Sequence, residues 1–341
     1  MMEDILKSGK ADVVEVARGL LADPYLPVKA MTGREDEIRK CIRCYVCHAE
    51  RVDTQTRICS VNPQIGHELE ALSGWPQTTP KKVLIAGGGP GGLQASITAA
   101  ERGHDVTVYE KEKELGGALR SERKVSFKQD FFDLARSLEV TAALKGVKII
   151  RGQALTEEIA EKEKADVVLI AVGAEPIRPP LPGIDSGKVI TGNQLSDDDV
   201  TIGQNVVILG GGLVGAEAAV HLAQEGRNVT IVEMLGSIAR DVNGLQKPIL
   251  MKKLDAEGVT IMVSTKGLGI DDRGLKVERE DGTQEIVPAD TVVVAVGQRP
   301  LTGEVDKLRD AAPIVRTIGD CVRPGKVTDA LSRGYYAGLD V

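Results

Sequence analysis

The chain has 341 residues, 42% hydrophobic and 27% charged, enough for about two or three domains with buried cores. A formal net charge of -7 with no long basic block argues against a nucleic-acid partner. No apolar run approaches the ~20 residues that span a bilayer, and the start, "MMEDILKSGK", lacks the apolar stretch of a secretion signal, so the sequence predicts no membrane association and a cytoplasmic location.

The first chemical signal is "CIRCYVC", Cys41 to Cys47, followed by Cys59, a C-x2-C-x2-C-x11-C pattern that uses four of the five cysteines. Few cysteines, clustered in one segment, point to a metal site or redox chemistry rather than to a disulfide framework. Thiolates three apart on a curled loop can converge on neighbouring irons of a cubane, with a fourth brought in by a later turn. Cys41, Cys44, Cys47 and Cys59 are therefore candidate ligands of a [4Fe-4S] cluster. Zinc is the alternative, although it usually takes cysteines as two separated C-x2-C knuckles. His48 adjoins Cys47 but reads as a solvated loop residue, because four thiolates complete the set. "SGWPQTTP", residues 73–80, has two prolines and no periodicity and reads as a linker.

The rest of the chain repeats itself. "KVLIAGGGPGGLQASITAAERGHDVTVYE" (Lys82 to Glu110) aligns without a gap, at an offset of 123, onto "NVVILGGGLVGAEAAVHLAQEGRNVTIVE" (Asn205 to Glu233). Further on, "ADVVLIAVGAEP" matches "ADTVVVAVGQRP" at an offset of 124. The apolar runs Val83 to Ala86 and Val206 to Leu209 are short, branched and bounded by glycine, as in strands buried on both faces of a parallel sheet. The alanine-rich segments that end at Gly103 and Gly226 have helical length. Strand, glycine turn, helix and strand make a βαβ unit, and two copies predict an α/β chain with two doubly wound, Rossmann-like dinucleotide-binding domains.

Each unit carries G-x-G-x-x-G at its strand-to-helix turn: Gly87, Gly89 and Gly92, then Gly210, Gly212 and Gly215. The first glycine permits the tight turn, the second lets backbone approach a pyrophosphate, and the third lets helix pack on strand, while the helix start offers free N–H groups to the phosphates. Glu110 and Glu233 close the next strands, each 23 positions after the first glycine, where a carboxylate can bond ribose hydroxyls.

Two such sites suggest a flavin and a nicotinamide, and the architecture resembles the two-dinucleotide-binding flavoproteins. In that family the first site holds FAD and an inserted domain holds NAD(P)H. "ELGGALR" (Glu114 to Arg120) is similar to the family's glycine pair beside FAD, here Gly116 and Gly117. "TIGDC" (Thr317 to Cys321) is similar to its late motif, in which the aspartate, here Asp320, bonds the ribityl chain. The disulfide reductases of that fold carry a redox cysteine pair, whereas Ala118, Leu119 and Arg120 follow Gly117 here and neither repeat holds a second thiol. Cys321 reads as a small packed side chain.

The order of cysteine cluster, "CSVNP" (Cys59 to Pro63), linker, FAD site and NAD site resembles the C-terminal half of the Old Yellow Enzyme-like iron-sulfur flavoenzymes. These include 2,4-dienoyl-CoA reductase, trimethylamine dehydrogenase and the enoate reductases. The resemblance implies that residues 1–40 are the last strand and helix of an FMN-binding TIM barrel, with a strand at Val13 to Val16 and Arg18 on the FMN phosphate. An unrelated helical leader is the alternative. It further implies an iron-sulfur segment at 41–72, an FAD domain at 81–185 and 301–341, and an NAD(P)H domain at 186–300. Electrons would pass from NADH through FAD and the cluster to FMN in an ene-reductase barrel upstream of Met1, where the substrate pocket would lie. Hydride transfer depends on ring alignment more than on an acid or base, so no catalytic residue is named. Two other arrangements remain open: a stand-alone subunit serving a separate partner flavoprotein, as in glutamate synthase small-subunit-like modules, or a truncated cofactor-binding fragment. Without the barrel FMN is not expected, and residues 1–40 should be loosely held or use their apolar side chains against a partner. Glu233, with no lysine or arginine from Met234 to Ala239, predicts NADH over NADPH, Arg240 being the nearest cation.

Overall fold

The computed structural model describes residues 2–75 and 78–341; Pro76 and Gln77, within the expected linker, lie outside the described residues, as does Met1. Short helices come first: α1 (Met2–Lys7), α2 (Arg18–Ala22), α3 (Leu26–Met31), α4 (Val46–Thr54) and α5 (Glu68–Ser73). None is long enough to persist alone, so tertiary ties must hold them. Asp23, 3% exposed, accepts from the backbone N–H of Tyr25 (3.0 Å), from Lys29 Nζ (2.6 Å) and from the N–H of Arg39 (3.0 Å). Arg39 donates in turn to the Val61 carbonyl (2.6 Å), and Asn62 Nδ2 to the Leu21 carbonyl (2.9 Å). The stretch from Leu21 to Arg39 is thus tied to the cysteine-bearing segment, so of the two alternatives expected for residues 1–40, loosely held or turned to a partner, the first does not describe these residues. The strand expected at Val13 to Val16 does not form, and Val13 is 80% exposed. An extended segment without a neighbour has nowhere to place its N–H and C=O groups except water.

The first repeat supplies β1 (Lys82–Ala86), α6 (Pro90–Glu101), β2 (Asp105–Glu110), α7 (Gln129–Leu144), β3 (Lys148–Arg151), α8 (Glu157–Glu163) and β4 (Val167–Ile170), followed by β5 (Ala174–Pro176). The second supplies β6 (Val189–Thr191), β7 (Asn205–Leu209), α9 (Leu213–Gln224), β8 (Asn228–Val232), α10 (Lys247–Ala256) and β9 (Thr260–Met262). Next come β10 (Lys266–Asp271), β11 (Gly274–Glu278), β12 (Gln284–Pro288), β13 (Thr291–Val294) and β14 (Gln298–Pro300). The chain continues through α11 (Thr302–Asp306), β15 (Ile314–Thr317) and α12 (Val327–Leu339).

Two five-stranded parallel sheets result, ordered β15-β4-β1-β2-β3 and β6-β13-β7-β8-β9. The central strands β1 and β4, like β7 and β13, are buried along almost their whole length because helices or further strands cover both faces. This is the α/β, doubly wound pair that the repeat predicts. Strands β10 to β12 form an antiparallel sheet inserted before β13, and β5 pairs antiparallel with β14 where the chain leaves the first sheet and returns to it. Helix α12 lies on α6 through small residues: a Cβ on Gly334 would meet the Gly91 carbonyl at 2.3 Å, and one on Gly338 the Ala95 carbonyl at 2.7 Å. Ile42 and Val61 sink into the first unit's core, which anchors the cysteine segment there. No helix among the described residues is long and apolar enough to cross a membrane.

Candidate functional site

The two glycine turns are built alike. A Cβ on Gly92 would lie 2.0 Å from the Gly87 carbonyl oxygen, and one on Gly215 would lie 2.0 Å from that of Gly210, so only glycine lets either helix start there. Glu110 accepts from the N–H groups of Gly88 (2.7 Å) and Glu112 (2.9 Å). Glu233 does the same with Gly211 (2.6 Å) and Leu235 (2.8 Å). Each carboxylate oxygen has two lone pairs, so both acids can accept a ribose hydroxyl while holding the turn in shape.

In the first turn the N–H of Gly116 donates to the Gly88 carbonyl (2.9 Å), and a Cβ on Gly117 would come within 3.0 Å of Gly89 Cα. Gly116 and Gly117 therefore stand against the start of α6. Asp320 sits in the turn after β15, at the same C-terminal edge of the sheet, and accepts from the Gly325 N–H (3.1 Å). Burial pushes its carboxyl above the ordinary value, and the Gly325 bond opposes the shift.

The second turn opens on a cavity of about 560 Å³, within the size range of ligand pockets. Gly210, Gly212, Glu233, Asn193, Thr265 and Gln298 contribute to its walls, with Val294 and Leu209 on the apolar side. Lys266 is the cation that lines it among the described residues, while Arg240 does not. Asp241 also lines it, with Oδ1 accepting from the Leu213 N–H (3.0 Å) at the start of α9. The Asp241 carbonyl accepts from Lys326 Nζ (2.6 Å), and Asn243 Nδ2 donates to the Cys44 carbonyl (3.2 Å). Sequence reasoning missed both residues. Carrying the repeat eight positions past each acid pairs Asp241 with Ala118, the signal that could have found it.

Cys41, Cys44, Cys47 and Cys59 line one small cavity with Arg18, Tyr45, Ser60 and Val61. The loop curls because Arg43 (φ 56°) and Tyr45 (φ 58°) both adopt the left-handed conformation, a local strain of about 1–3 kcal/mol each. Cys44 Sγ lies 3.1 Å from Ser60 Oγ, which is 2.6 Å from Thr328 Oγ1 on α12. Burial pushes the Cys47 and Cys59 thiols up, and the nearby charges of Cys44 and Cys41 add to the shift. Among the described residues no three His, Cys, Asp or Glu side chains stand close enough to share one metal ion. Four thiols around one cavity fit the cluster in donor chemistry.

Arg18 begins α2, and its guanidinium carbon lies 4.7 Å from the Tyr45 ring centroid. Its Nη1 is buried and has no hydrogen-bond partner among the described residues. The arginine expected at an FMN phosphate thus faces the cysteine cavity. His48 lies exposed on α4 rather than in a loop, and Cys321 is buried, its thiol donating to the Ile318 carbonyl (3.0 Å). Between the two units, Lys128 Nζ bridges Glu122 (2.9 Å) and Glu217 on α9 (2.7 Å), with the Lys128 and Glu217 side chains only 11% and 13% exposed. Burial pushes the Glu217 carboxyl up, while the two carboxylates outweigh burial at Lys128 and hold its ammonium above the ordinary value.

The family model described as pyridine nucleotide-disulphide oxidoreductase matches residues 81–333. The chain belongs to this family. As a pyridine nucleotide-disulphide oxidoreductase it is an NAD(P)H-dependent flavoprotein, and the five cysteines are free among the described residues. It is 38% identical to an NADH oxidase of Thermoanaerobacter brockii, over 99% of this chain and 53% of that protein. It is 34% identical to a metal reductase of Desulforamulus reducens, over 99% of this chain and 56% of that one. A solved 2-naphthoyl-CoA reductase in complex with 2-naphthoyl-CoA superposes with a TM-score of 0.94 at 30% identity, covering 99% of this chain and 52% of its own. The chain spans about half the length of these three relatives.

Proposed function

We propose that the chain is an electron-input module that takes hydride from NADH onto FAD and passes the electrons onward through a [4Fe-4S] cluster. In this reading residues 81–185 and 301–341 hold FAD, residues 186–300 hold NADH, and residues 41–72 hold the cluster, joined by a linker at 73–80. Gly87, Gly89, Gly92, Gly116 and Gly117 leave the start of α6 clear of side chains for the flavin pyrophosphate. Glu110 would take the ribose and Asp320 the ribityl chain. Gly210, Gly212 and Gly215 would meet the nicotinamide nucleotide's phosphates, and Glu233 its adenosine ribose. Cys41, Cys44, Cys47 and Cys59 would ligate the cluster, whose chemistry is to carry electrons one at a time. The side chains position and shield; no general base is needed.

The observation that carries this reading is that cysteines from two separate segments line one cavity while that segment touches both dinucleotide units, through Asn243 to Cys44 and through Ser60 to Thr328. The onward acceptor is FMN in an ene-reductase barrel, such as the longer relatives have room for, or a separate partner flavoprotein. The exposed Val13, Tyr25, Val28 and Met31 offer apolar surface to either. The Arg18 contact with an FMN phosphate belongs to the barrel-bearing form.

Anaerobically purified protein should contain FAD without FMN, about four irons with matching sulfide, and broad absorbance near ~400 nm. Cys44→Ala should lose the iron and keep the FAD. Stoichiometric zinc with no acid-labile sulfide overturns the cluster, and stoichiometric FMN overturns the placing of FMN outside these residues.

A further inference from the structure

The N–H of Leu213 opens α9, a helix of twelve residues, and belongs to the set of free donors that a pyrophosphate seeks at such a turn. It already has a partner, Asp241 Oδ1 at 3.0 Å. The carboxylate also stands beside Gly212, the glycine of closest approach, where a Cβ would lie 3.8 Å from the same oxygen. In the first turn Pro90 stands at the place of Leu213 and has no N–H to offer, so no acid is called for there. There the matching loop reads Gly116, Gly117, Ala118, and the atom facing Gly89 is the Cα of Gly117. The loops otherwise correspond: the Gly116 N–H donates to the Gly88 carbonyl (2.9 Å), and the Ala239 N–H donates to the Gly211 carbonyl (2.7 Å). One helix start faces a glycine Cα, and its twin faces a carboxylate.

We propose that Asp241 is an affinity-setting gate on the second dinucleotide site, an internal carboxylate that a nucleotide pyrophosphate must displace from the start of α9. This inference rests on the reading of that site as the nicotinamide nucleotide site. Carboxylate and pyrophosphate are both anions seeking the same backbone donor, so they cannot share it without like-charge repulsion. The backbone around Asp241 is held, its carbonyl by Lys326 Nζ (2.6 Å) and Asn243 by the Cys44 carbonyl (3.2 Å). The carboxylate therefore leaves by turning about its own side-chain bonds while the loop stays in place. Part of the nucleotide's binding free energy is consumed in this exchange, and bound nucleotide dissociates the more readily for it. Ligands that lack phosphate have no quarrel with Asp241.

The test is calorimetric titration of oxidised, FAD-loaded protein with ADP-ribose, which carries the adenosine and pyrophosphate but no ring to reduce the flavin, and with adenosine as the uncharged control. Asp241→Asn, nearly the same shape without the charge, should tighten ADP-ribose about tenfold and leave adenosine within about twofold. Asp241→Glu, which keeps the charge, should stay within about threefold of the parent for ADP-ribose. Unchanged ADP-ribose affinity in Asp241→Asn overturns the gate. An equal gain for adenosine and ADP-ribose also overturns it, because it signals general loosening of the pocket. If ADP-ribose binds neither parent nor variant, the reading of the second site fails, and the gate falls with it.

Discussion

The two dinucleotide turns share a backbone and differ in what faces it. Their third glycines stand at the same 2.0 Å limit from the first glycine's carbonyl, and their acids clamp equivalent N–H groups at 2.7 Å and 2.6 Å. The loops that follow diverge: Gly116 makes its left-handed turn at φ 110° without a Cβ, whereas Ala239 makes the equivalent turn at φ 52° and leads into Asp241. Glycine and acid fix the cradle, and the residues a few positions later decide which groups face it.

The strongest way to break the comparison is to fill one cradle at a time. Gly92→Ala should strip FAD from the first unit, while Gly215→Ala should leave FAD bound and cut NADH-dependent flavin reduction at least ~100-fold, since an ångström of misplacement is costly in hydride transfer. Flavin content and anaerobic stopped-flow reduction separate the two. If both variants lose FAD equally, the turns are not independent.

The seam between the units should respond next. Lys128→Met leaves Glu122 and Glu217 facing each other across a buried gap with no cation, which should cost about 3–5 kcal/mol in denaturant unfolding. A loss below about 1 kcal/mol would mean that water or another cation replaces the lysine.

Glu233→Ala gives a smaller effect. It leaves the Gly211 and Leu235 donors unpartnered, about 1–3 kcal/mol each when buried, and removes the carboxylate that repels a 2'-phosphate. The parent should prefer NADH in steady-state dye reduction, and the variant's preference should shrink roughly tenfold. Equal efficiency of the parent with NADPH would remove Glu233 from the selectivity argument.

The smallest effect is a pH dependence, centred on a histidine of the first unit that its twin lacks at the matching place. His104, buried, accepts the Lys81 N–H at Nδ1 (3.1 Å), where the second repeat has Arg227. Burial lowers its pKa, with the charges of Lys81 and Arg102 adding. The folded state therefore binds fewer protons than the unfolded chain, so this stability is complete above the ordinary histidine value of about 6.5 and is lost as pH falls towards the lowered one. Unfolding midpoints should drop between about pH 7.5 and pH 5.5, less steeply in His104→Gln. His221 on α9, also lowered by burial, would preserve part of the slope.

What was legible in the sequence was local or repeated. Strand, glycine turn and helix announce themselves because each residue answers to neighbours a few positions away, and the repeat states the pattern twice. Contacts that close over long distances left no such trace: Ser60 meets Thr328 across 268 positions, and Lys128 meets Glu217. Asp241, whose partner Leu213 lies 28 residues earlier, left a fainter trace, its contrast with Ala118 at the matching place in the first repeat. The strand expected at Val13 to Val16 came from the resemblance to a barrel's last strand, and such a segment forms no ladder without a neighbour.

The place of β15 in the first sheet has a consequence in time. It lies against β4, yet the whole second unit is made between them. At about 5–20 residues per second a ribosome needs roughly 7–30 seconds to cross that interval, and through it the outer edge of β4 lacks its partner. The second unit can finish folding before the first is complete. A nascent chain would accordingly gain the cavity at its second glycine turn before Asp320 reaches its place in the first unit.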